Sequence, residues 1–354
     1  MVIMMKNDLS KIIFDNYEVM IKDISMLNGG WMNRKYLCHD FNNNKYVIKL
    51  FSSKKVEKMS KGEFSLDYLN NQLVNNLKIE NYMYDKKLNC EHIKVGKNNK
   101  ILFPYGDYCL ALIDYLNGCH VSREIVDDIQ LYNLGKECAK MHFLFKNVDQ
   151  TPYTGNYLKI PSISNMFDRY EDKVRNTTHS VCSQYQELLY KQREILLLLK
   201  EACIVNEIPI FVTHGDFSDD NVLFDGVIPK ILDFELVRVN SPLLDIGRII
   251  MSYCYDDNIL NYNRIISFMS GYNSIIEIGD KDIFLSFVTV WINEVDMWIK
   301  ESYFNKKITE KSKRFQEELI YLTNNMLNIV RHYIDDKSLM NFCSDYGIKR
   351  RILK

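Results

Sequence analysis

The amino-acid sequence predicts an α+β protein with two lobes, a small β-rich N-terminal lobe and a larger, mainly helical C-terminal lobe. Up to about residue 117, short apolar runs alternate with turn-forming residues, which is typical of antiparallel strands. After that, apolar residues recur at three- and four-residue spacing over long stretches, as on the buried face of a helix. An island of short apolar runs at 210–232 interrupts this helical half. A chain of 354 residues is long enough to bury the core of such a fold.

Five strands and one helix are predicted in the N-terminal lobe. The segment 40–44 is rich in Asp and Asn, which favour turns because their side chains bond to nearby backbone, so it should join two strands. Apolar residues at helical spacing predict a helix from about 56 to 77. The predicted strands are 24–27, 35–38, 45–51, 102–104 and 109–113.

The C-terminal lobe is predicted to contain five long helices and three short strands. The lobe boundary is expected near residue 117, which divides the chain into 1–117 and 118–354. The predicted helices are 131–145, 184–205, 258–272, 281–303 and 309–334. The predicted strands are 210–212, 222–224 and 229–232.

Composition and charge exclude several classes of partner. The formal net charge is -1, from 45 basic and 46 acidic residues, so the chain has no basic excess with which to bind nucleic acid. No apolar stretch approaches the roughly 18 residues of a membrane span, and the N-terminus does not resemble a signal peptide. The chain is therefore expected to be cytoplasmic. Its nine cysteines are scattered without a CxxC pair, so we expect reduced, mostly buried thiols.

The most informative residues lie in THGDFSDDNVLFD at 213–225 and ILDFE at 231–235. Phosphoryl transfer to a hydroxyl needs a carboxylate that takes the proton and hard oxygen ligands that hold magnesium against the phosphates. Asp216 is placed as the base. Asn221, five residues on, and Asp233, after an apolar strand, offer the amide and carboxylate oxygens. This pattern therefore predicts Mg2+-dependent phosphoryl transfer.

A short HxD sequence also occurs where it has no function, and neighbouring acids can form a solvated turn. The order of the elements argues against that interpretation. A predicted strand, the HGD loop, Asn221, a second predicted strand, DFE and a further acid, Asp245, follow one another along the chain. The spacing resembles the protein-kinase motifs HRDxxxxN and DFG, but Gly215 and Glu235 depart from them. HGDxxxxN with DFE is instead similar to the aminoglycoside phosphotransferase, choline kinase and type II homoserine kinase superfamily. That resemblance implies a bilobal protein-kinase-like fold, with a nucleotide-binding N-terminal lobe and the catalytic loop, metal site and acceptor region in the C-terminal lobe.

The resemblance extends to the N-terminal lobe through Lys49. It matches the family lysine that contacts the α- and β-phosphates, although a lysine at a strand end can also be merely exposed. Glu63, in the predicted helix, is the expected ion-pair partner of Lys49, with Glu57 and Asp67 as alternatives.

Two further segments are assigned to the nucleotide by resemblance. The sequence LIDYLNG at 112–118 is similar to the family's hinge, where backbone groups around Asp114 and Leu116 would bond the adenine edge. Gly29 and Gly30 lie where a phosphate-covering loop is expected, although no GxGxxG is present.

The acceptor region is predicted in the C-terminal lobe, after the metal strand. Asp219 and Asp220 lie inside the catalytic loop, where they either favour a cationic acceptor or are simply solvated. The candidate acceptor-lining residues each have an ordinary structural alternative, as a helix cap, a core residue or a solvated face. They are Asp256, Asp257, Trp291 and Glu294.

The expected activity is therefore phosphorylation of a hydroxyl on a small molecule, with ATP as donor, GTP as the alternative donor, and Mg2+. An aminoglycoside-type antibiotic is the first expected acceptor, with homoserine or choline next. The alternative from another class is a non-catalytic kinase-like binding protein of the spore-coat type. The sequence leaves the acceptor's identity and the oligomeric state open.

Overall fold

The structure is a computed structural model that describes residues 2–27, 33–52, 66–153, 179–202, 204, 208–256, 259–304 and 310–336. Two compact units make up the chain. The unit that we call the sheet unit comprises 1–120, 151–153 and 221–237. The helical unit comprises 121–150, 154–220 and 238–354. The predicted lobe boundary at residue 117 stays a prediction.

Long helices and short strands follow one another along the described part of the chain. The helices are α1 Val2–Tyr17, α2 Leu66–Asp85, α3 Asp128–Lys146, α4 His179–Glu201, α5 Pro242–Tyr253, α6 Tyr262–Asn273, α7 Asp280–Phe304 and α8 Glu310–Asp336. The strands are β1 Ile21–Leu27, β2 Arg34–Asp40, β3 Lys45–Ser52, β4 Phe103–Tyr105, β5 Tyr108–Asp114, β6 Phe211–Thr213, β7 Val222–Asp225, β8 Ile228–Ile231, β9 Arg238–Asn240, β10 Tyr255–Asp256 and β11 Ile259–Leu260. This arrangement confirms the predicted α+β class.

A five-stranded antiparallel sheet forms the centre of the sheet unit, in the order β1-β2-β3-β5-β4. Alternate residues of a strand point to opposite faces, so each face of β3 contributes to a different core cluster. On one face, Ile48 packs with Leu9 and Ile13 of α1. On the other, Phe51 packs with Leu77 of α2. Lys49 lies between Ile48 and Leu50, on the same face as Phe51.

The β7–β8 hairpin belongs to the sheet unit because backbone hydrogen bonds join it to earlier segments. Phe224 and Cys119 exchange two such bonds, at 2.8 and 3.0 Å. The Ile231 amide donates to the Asn89 carbonyl at 2.7 Å. These contacts fix the strand that leads directly into Asp233.

Close helix packing organises the helical unit. A Cβ on Gly135 of α3 would lie 1.9 Å from the Phe268 carbonyl oxygen of α6, so only glycine allows this approach. A Cβ on Gly247 of α5 would lie 2.6 Å from the Ser286 carbonyl oxygen of α7. The α5–α7 contact brings Arg248 of α5 and Glu294 of α7 together. None of the described helices is both long and apolar enough to cross a membrane.

Candidate active site

Lys49 lies in the interior of the sheet unit, with a side chain that is 2% exposed. It forms an ion pair with Asp233, and its Nζ lies 3.6 Å from Glu235 Oε2. A buried ammonium is costly unless it is paired, so these carboxylates explain how β3 can carry a lysine in the core. The sequence predicted Glu63 as its partner, but Glu63 lies outside the described residues.

Asp233 lies at the start of a short helical turn in the left-handed conformation, with φ +67°. A residue other than glycine rarely adopts this conformation, which requires support from its surroundings. Lys35 Nζ bonds Asp233 Oδ2 at 2.9 Å, and the Asp233 amide donates to Glu91 Oε2 at 3.1 Å. The Asp233 carboxylate is thus held from β2 and β3, and its backbone amide from the segment that follows α2.

Glu235 is held by two asparagines in the same unit. Asn33 Nδ2 donates to Glu235 Oε2 at 2.5 Å, and Asn76 Nδ2 of α2 donates to the Glu235 carbonyl oxygen at 2.7 Å. These bonds fix the DFE segment at both its side chain and its backbone.

Glu80 of α2 is a further buried carboxyl group, and it interacts with Glu91 and Lys49. It is 1% exposed, and burial raises its pKa, with further increases from the neighbouring Glu91 carboxylate and its hydrogen bond. Lys49 acts in the opposite direction. Glu80 and Glu91 thus form a hydrogen-bonded carboxyl pair, and Glu91 in turn accepts from the Asp233 amide.

Asn221 and Asp233, which the sequence predicts as magnesium ligands, lie on segments that a backbone hydrogen bond joins. The Leu232 amide donates to the Asn221 carbonyl oxygen at 2.9 Å, which ties the segments of the two residues together. Among the described residues, no group of three or more His, Cys, Asp or Glu is arranged to hold a metal. Mg2+ typically takes only one or two protein oxygens and completes its shell with phosphates and water. One amide oxygen and one carboxylate are therefore chemically suited to Mg2+ that is held together with a phosphorylated ligand.

Asp245 fixes the backbone of the HGD loop in the helical unit. It is fully buried at the first turn of α5, where Ser241 caps the helix by accepting from the Leu243 amide. Its carboxylate accepts from the His214 amide at 2.9 Å and the Gly215 amide at 3.1 Å. His142 Nε2 lies 3.2 Å from the same carboxylate.

These contacts keep Asp245 ionised. Burial alone would raise its pKa, but hydrogen bonding and charge attraction from His142, with a contribution from His214, hold the pKa below its ordinary value. The loop that carries Asp216 is thereby anchored to a buried negative charge.

The side chain of Asp216 contacts Arg248, one helical turn beyond Asp245 on α5. The Arg248 guanidinium forms an ion pair with Asp216 Oδ1 and also bonds Glu294 Oε1 of α7, from Nη2 at 2.5 Å and from Nε at 3.1 Å. Burial would lower the pKa of Arg248, but Glu294 and Asp216 outweigh it and hold that pKa above its ordinary value. Glu294, predicted as an acceptor-lining residue, is buried and engaged in this network.

The helical unit contains three further acids of interest, Asp219 and Asp220 in the catalytic-loop segment and Glu318 of α8. Glu318 accepts from Arg123 through Oε1, while its buried Oε2 has no hydrogen-bond partner among the described residues. Burial raises the pKa of Glu318, and Arg123 opposes that effect. Burial also raises the pKa of the Tyr253 hydroxyl, and the Asp219 charge adds to the increase at both Tyr253 and Glu318.

The remaining residues that the sequence predicted for the site are divided between the two units. Asp114 ends β5 and bonds His92 Nδ1 at 2.6 Å and Lys94 Nζ at 3.1 Å, and Leu116 follows it half-buried. Trp291 is fully buried and donates from Nε1 to Thr323 at 3.0 Å. Asp256 lies in β10. The residues outside the described part of the chain are Gly29, Gly30, Glu63 and Asp257.

Sequence reasoning missed Lys35, Glu80, Glu91 and the role of Arg248. Each is distant in sequence from the residue that it contacts, by 198 positions for Lys35 and Asp233. No local motif connects such pairs. The signal that the sequence did contain was a charged residue among apolar ones, as with Arg248 on the mainly apolar α5.

The sheet with its buried lysine and the anchored HGD loop define the protein class as kinase-like phosphotransferases. The family model for the phosphotransferase enzyme family (APH) matches residues 23–266, which is more than half of the chain. The protein therefore belongs to that family, as the sequence motifs predicted. None of the curated protein sequences is similar enough to this chain to count as a relative.

Solved structures share the fold at low identity. The spectinomycin phosphotransferase APH(9)-Ia, in complex with ADP and spectinomycin, is 12% identical, with a TM-score of 0.63 over 91% of this chain and 98% of that one. The amicoumacin kinase hAmiN, with AMP-PNP, Ca2+ and Ami, is 12% identical, with a TM-score of 0.60 over 84% and 88%. Choline kinase from Cryptosporidium parvum is 13% identical, with a TM-score of 0.55 over 96% and 98%. These similarities support the fold that the family assignment implies.

Proposed function

We propose that this protein transfers the γ-phosphoryl group of ATP to a hydroxyl of a small molecule, with Mg2+. The observation that carries the proposal is the anchoring of the Asp216 loop by the buried Asp245 carboxylate. Burying a charge to fix two loop amides is costly, and a protein that only binds has no evident need for it. Family membership and the retained Lys49, Asn221 and Asp233 support the same activity.

Each of these residues has a distinct role in the proposal. Asp216 orients the acceptor hydroxyl and takes its proton, while Lys49 contacts the donor's phosphates. Asn221 and Asp233 would hold Mg2+, which supplies charge stabilisation of the transferring group when it is bound. The protein's contribution is positioning and electrostatics rather than a covalent intermediate.

Nucleotide binding is assigned to the sheet unit. Backbone groups around Asp114 and Leu116 would bond the adenine edge, and Gly29 and Gly30 would lie near the phosphates. The spectinomycin phosphotransferase structure contains ADP and the amicoumacin kinase structure contains AMP-PNP, which supports an adenine nucleotide as donor. GTP is the alternative, since main-chain recognition of a purine edge does not by itself exclude guanine.

The acceptor that the geometry favours carries amino groups, as aminoglycosides do. Asp219 and Asp220 are consecutive acids in the loop that carries Asp216, and Oε2 of Glu318 is a buried acceptor without a hydrogen-bond partner among the described residues. An ammonium group would satisfy it. Homoserine or choline remain the metabolic alternatives, and a cytoplasmic enzyme is proposed in either case.

Replacing Asp216 tests the proposal. The Asp216→Ala variant should lose phosphate transfer while it keeps its affinity for Mg-ATP, because the residue acts on the acceptor hydroxyl. Phosphate transfer is measured as ADP release with a panel of aminoglycosides and amino alcohols, and affinity by calorimetry. Asp225→Ala, which removes an exposed hairpin carboxylate paired with Lys230, is the matched control and should retain activity. Turnover that survives in Asp216→Ala would refute the assignment of the base.

The non-catalytic alternative is separated by nucleotide binding. A kinase-like scaffold should show no thermal stabilisation by Mg-ATP and no turnover with any member of the panel. The proposed enzyme should show both, and its nucleotide binding should lose its Mg2+ dependence in the Asp233→Ala variant.

A further inference from the structure

We propose that Arg248 is a positioning residue that holds the Asp216 carboxylate through a guanidinium fork braced by Glu294. This inference rests on the proposed function, because it takes Asp216 as the base that receives the acceptor proton. Neither the HGD nor the DFE motif contains Arg248 or Glu294. Arg248 is 32 positions from Asp216 along the chain, and Glu294 is 46 positions from Arg248.

The geometry of the fork is specific. Arg248 uses Nε and Nη2 on a single oxygen of Glu294 and directs Nη1 to Asp216 Oδ1. A planar guanidinium fixes the angle between its donors, so holding one edge determines where the other points. Glu294 is 5% exposed and Asp216 is 40% exposed, so the brace is buried while the carboxylate that it aims is accessible.

The fork complements the anchoring of the loop backbone. Asp245 and Arg248 are three residues apart on α5 and therefore lie on the same helix face. Asp245 bonds the amides of His214 and Gly215, and Arg248 bonds the side chain of the next residue, Asp216. One turn of α5 thus fixes both the backbone and the carboxylate of the HGD loop.

Gly247 makes the brace possible. Its missing side chain allows α5 to approach α7, where a Cβ would lie 2.5 Å from Val290 and 2.6 Å from the Ser286 carbonyl oxygen. Glu294 is one turn beyond Val290 on α7, so this approach brings its carboxylate to Arg248. The other charged groups that act on this network are Arg238, which donates to the Gly215 carbonyl oxygen, and Asp245.

The first test uses turnover. Arg248→Met should lower kcat by about 100-fold while KM for ATP is unchanged, because a base displaced by an ångström loses that much rate. Adding Glu294→Gln to Arg248→Met should cause no further loss if Glu294 acts only through the arginine. Arg264→Met, which removes an arginine bonded to the Tyr253 carbonyl oxygen outside this network, should leave kcat unchanged. An unchanged kcat in Arg248→Met, or fully additive losses in the double variant, would overturn the inference.

The second test needs no activity. A water-soluble carbodiimide with glycine ethyl ester should label Asp216 more in Arg248→Met than in the wild type, because the guanidinium no longer covers Oδ1. Labelling is read by peptide mass spectrometry, with Arg264→Met again as the control. Equal labelling of Asp216 in Arg248→Met and the wild type contradicts the contact. Increased labelling in a protein that shows no phosphate transfer refutes the proposed function and leaves the contact in place.

Arg248→Lys keeps the experiment decisive if Arg248→Met does not fold. Lysine retains the charge but cannot bond both carboxylates in a fixed plane. A lowered kcat with an unchanged melting temperature supports the fork, whereas wild-type kcat would show that charge alone suffices and would overturn it.

Discussion

Glu80 shows how a single buried residue can set the pH response of stability. Its folded-state pKa is raised by burial and by Glu91, so the folded protein holds a proton that the unfolded chain has released above about pH 4.3. The free energy of unfolding contributed by this residue therefore falls as pH rises from that value to the folded pKa, and is constant above it.

The Glu80→Gln variant is expected to lack this dependence. Its melting temperature relative to the wild type should increase as pH rises from about 5 upward, because glutamine keeps a hydrogen-bond donor without a titrating group. Differential scanning calorimetry across this range measures the effect. Glu187→Gln, which changes an exposed carboxylate paired with Lys191, is the matched control and should track the wild type. A difference that is constant with pH would contradict the prediction.

Lys35 bonds Asp233 Oδ2 at 2.9 Å and has no counterpart in the sequence motifs. Lys35→Met should weaken Mg-nucleotide binding, because the Asp233 carboxylate loses one of the donors that fix its direction. Isothermal titration calorimetry measures the change in Kd, and Lys22→Met, at an exposed position of the neighbouring strand β1, serves as control. Equal Kd values for Lys35→Met and the wild type would show that Lys49 and Glu91 suffice to orient Asp233.

The contact between α3 and α6 depends on two glycines. A Cβ on Gly135 would meet the Phe268 carbonyl oxygen at 1.9 Å, and one on Gly271 would meet the Tyr132 carbonyl oxygen at 1.8 Å. Backbone atoms cannot rotate away as side chains do, so the helices would have to separate.

Gly135→Ala should therefore lower the free energy of unfolding by about 1–3 kcal/mol or more, despite alanine's higher helix propensity. Urea denaturation followed by circular dichroism measures this change. Gly279→Ala is the control, since a Cβ there meets nothing within 4 Å. Similar stabilities for the two variants would mean that the helices are not in close contact.

Much of the fold could be predicted from the sequence because its periodic patterns are strong. The helix predicted at 281–303 is observed at Asp280–Phe304, and the strand predicted at 45–51 is observed at Lys45–Ser52. Helix α1 was not predicted, and the residues that are buried in its described part, Leu9 and Ile13, gave little periodic signal. The motifs singled out Asp216 and Asp233, but the supports of these residues depend on tertiary packing, and spacing along the chain does not reveal such contacts.

At the scale of the whole molecule, three separate segments of the chain make up the sheet unit. The β7–β8 hairpin supplies hydrogen bonds to Cys119 and Asn89, so a continuous N-terminal fragment lacks part of its own unit.

A fragment of residues 1–120 is therefore expected to remain largely unfolded, because the backbone groups of these segments lose their partners. Amide hydrogen exchange should show no protected core in this fragment. The same fragment joined through a flexible linker to 221–237 should regain protection. A protected core in the shorter fragment would show that the hairpin is dispensable.

The turn of that hairpin is also a suitable position for a fluorescent label. Gly226 has φ +61° with no atom within 4 Å of the position that a Cβ would take, and Val227 beside it is 42% exposed. A fluorescent dye attached to a Val227→Cys variant would report from the strand pair that precedes Asp233, after Cys119→Ser removes the thiol that is exposed among the described cysteines. Purified variants could then be compared by their fluorescence response to nucleotide, without knowledge of the phosphate acceptor.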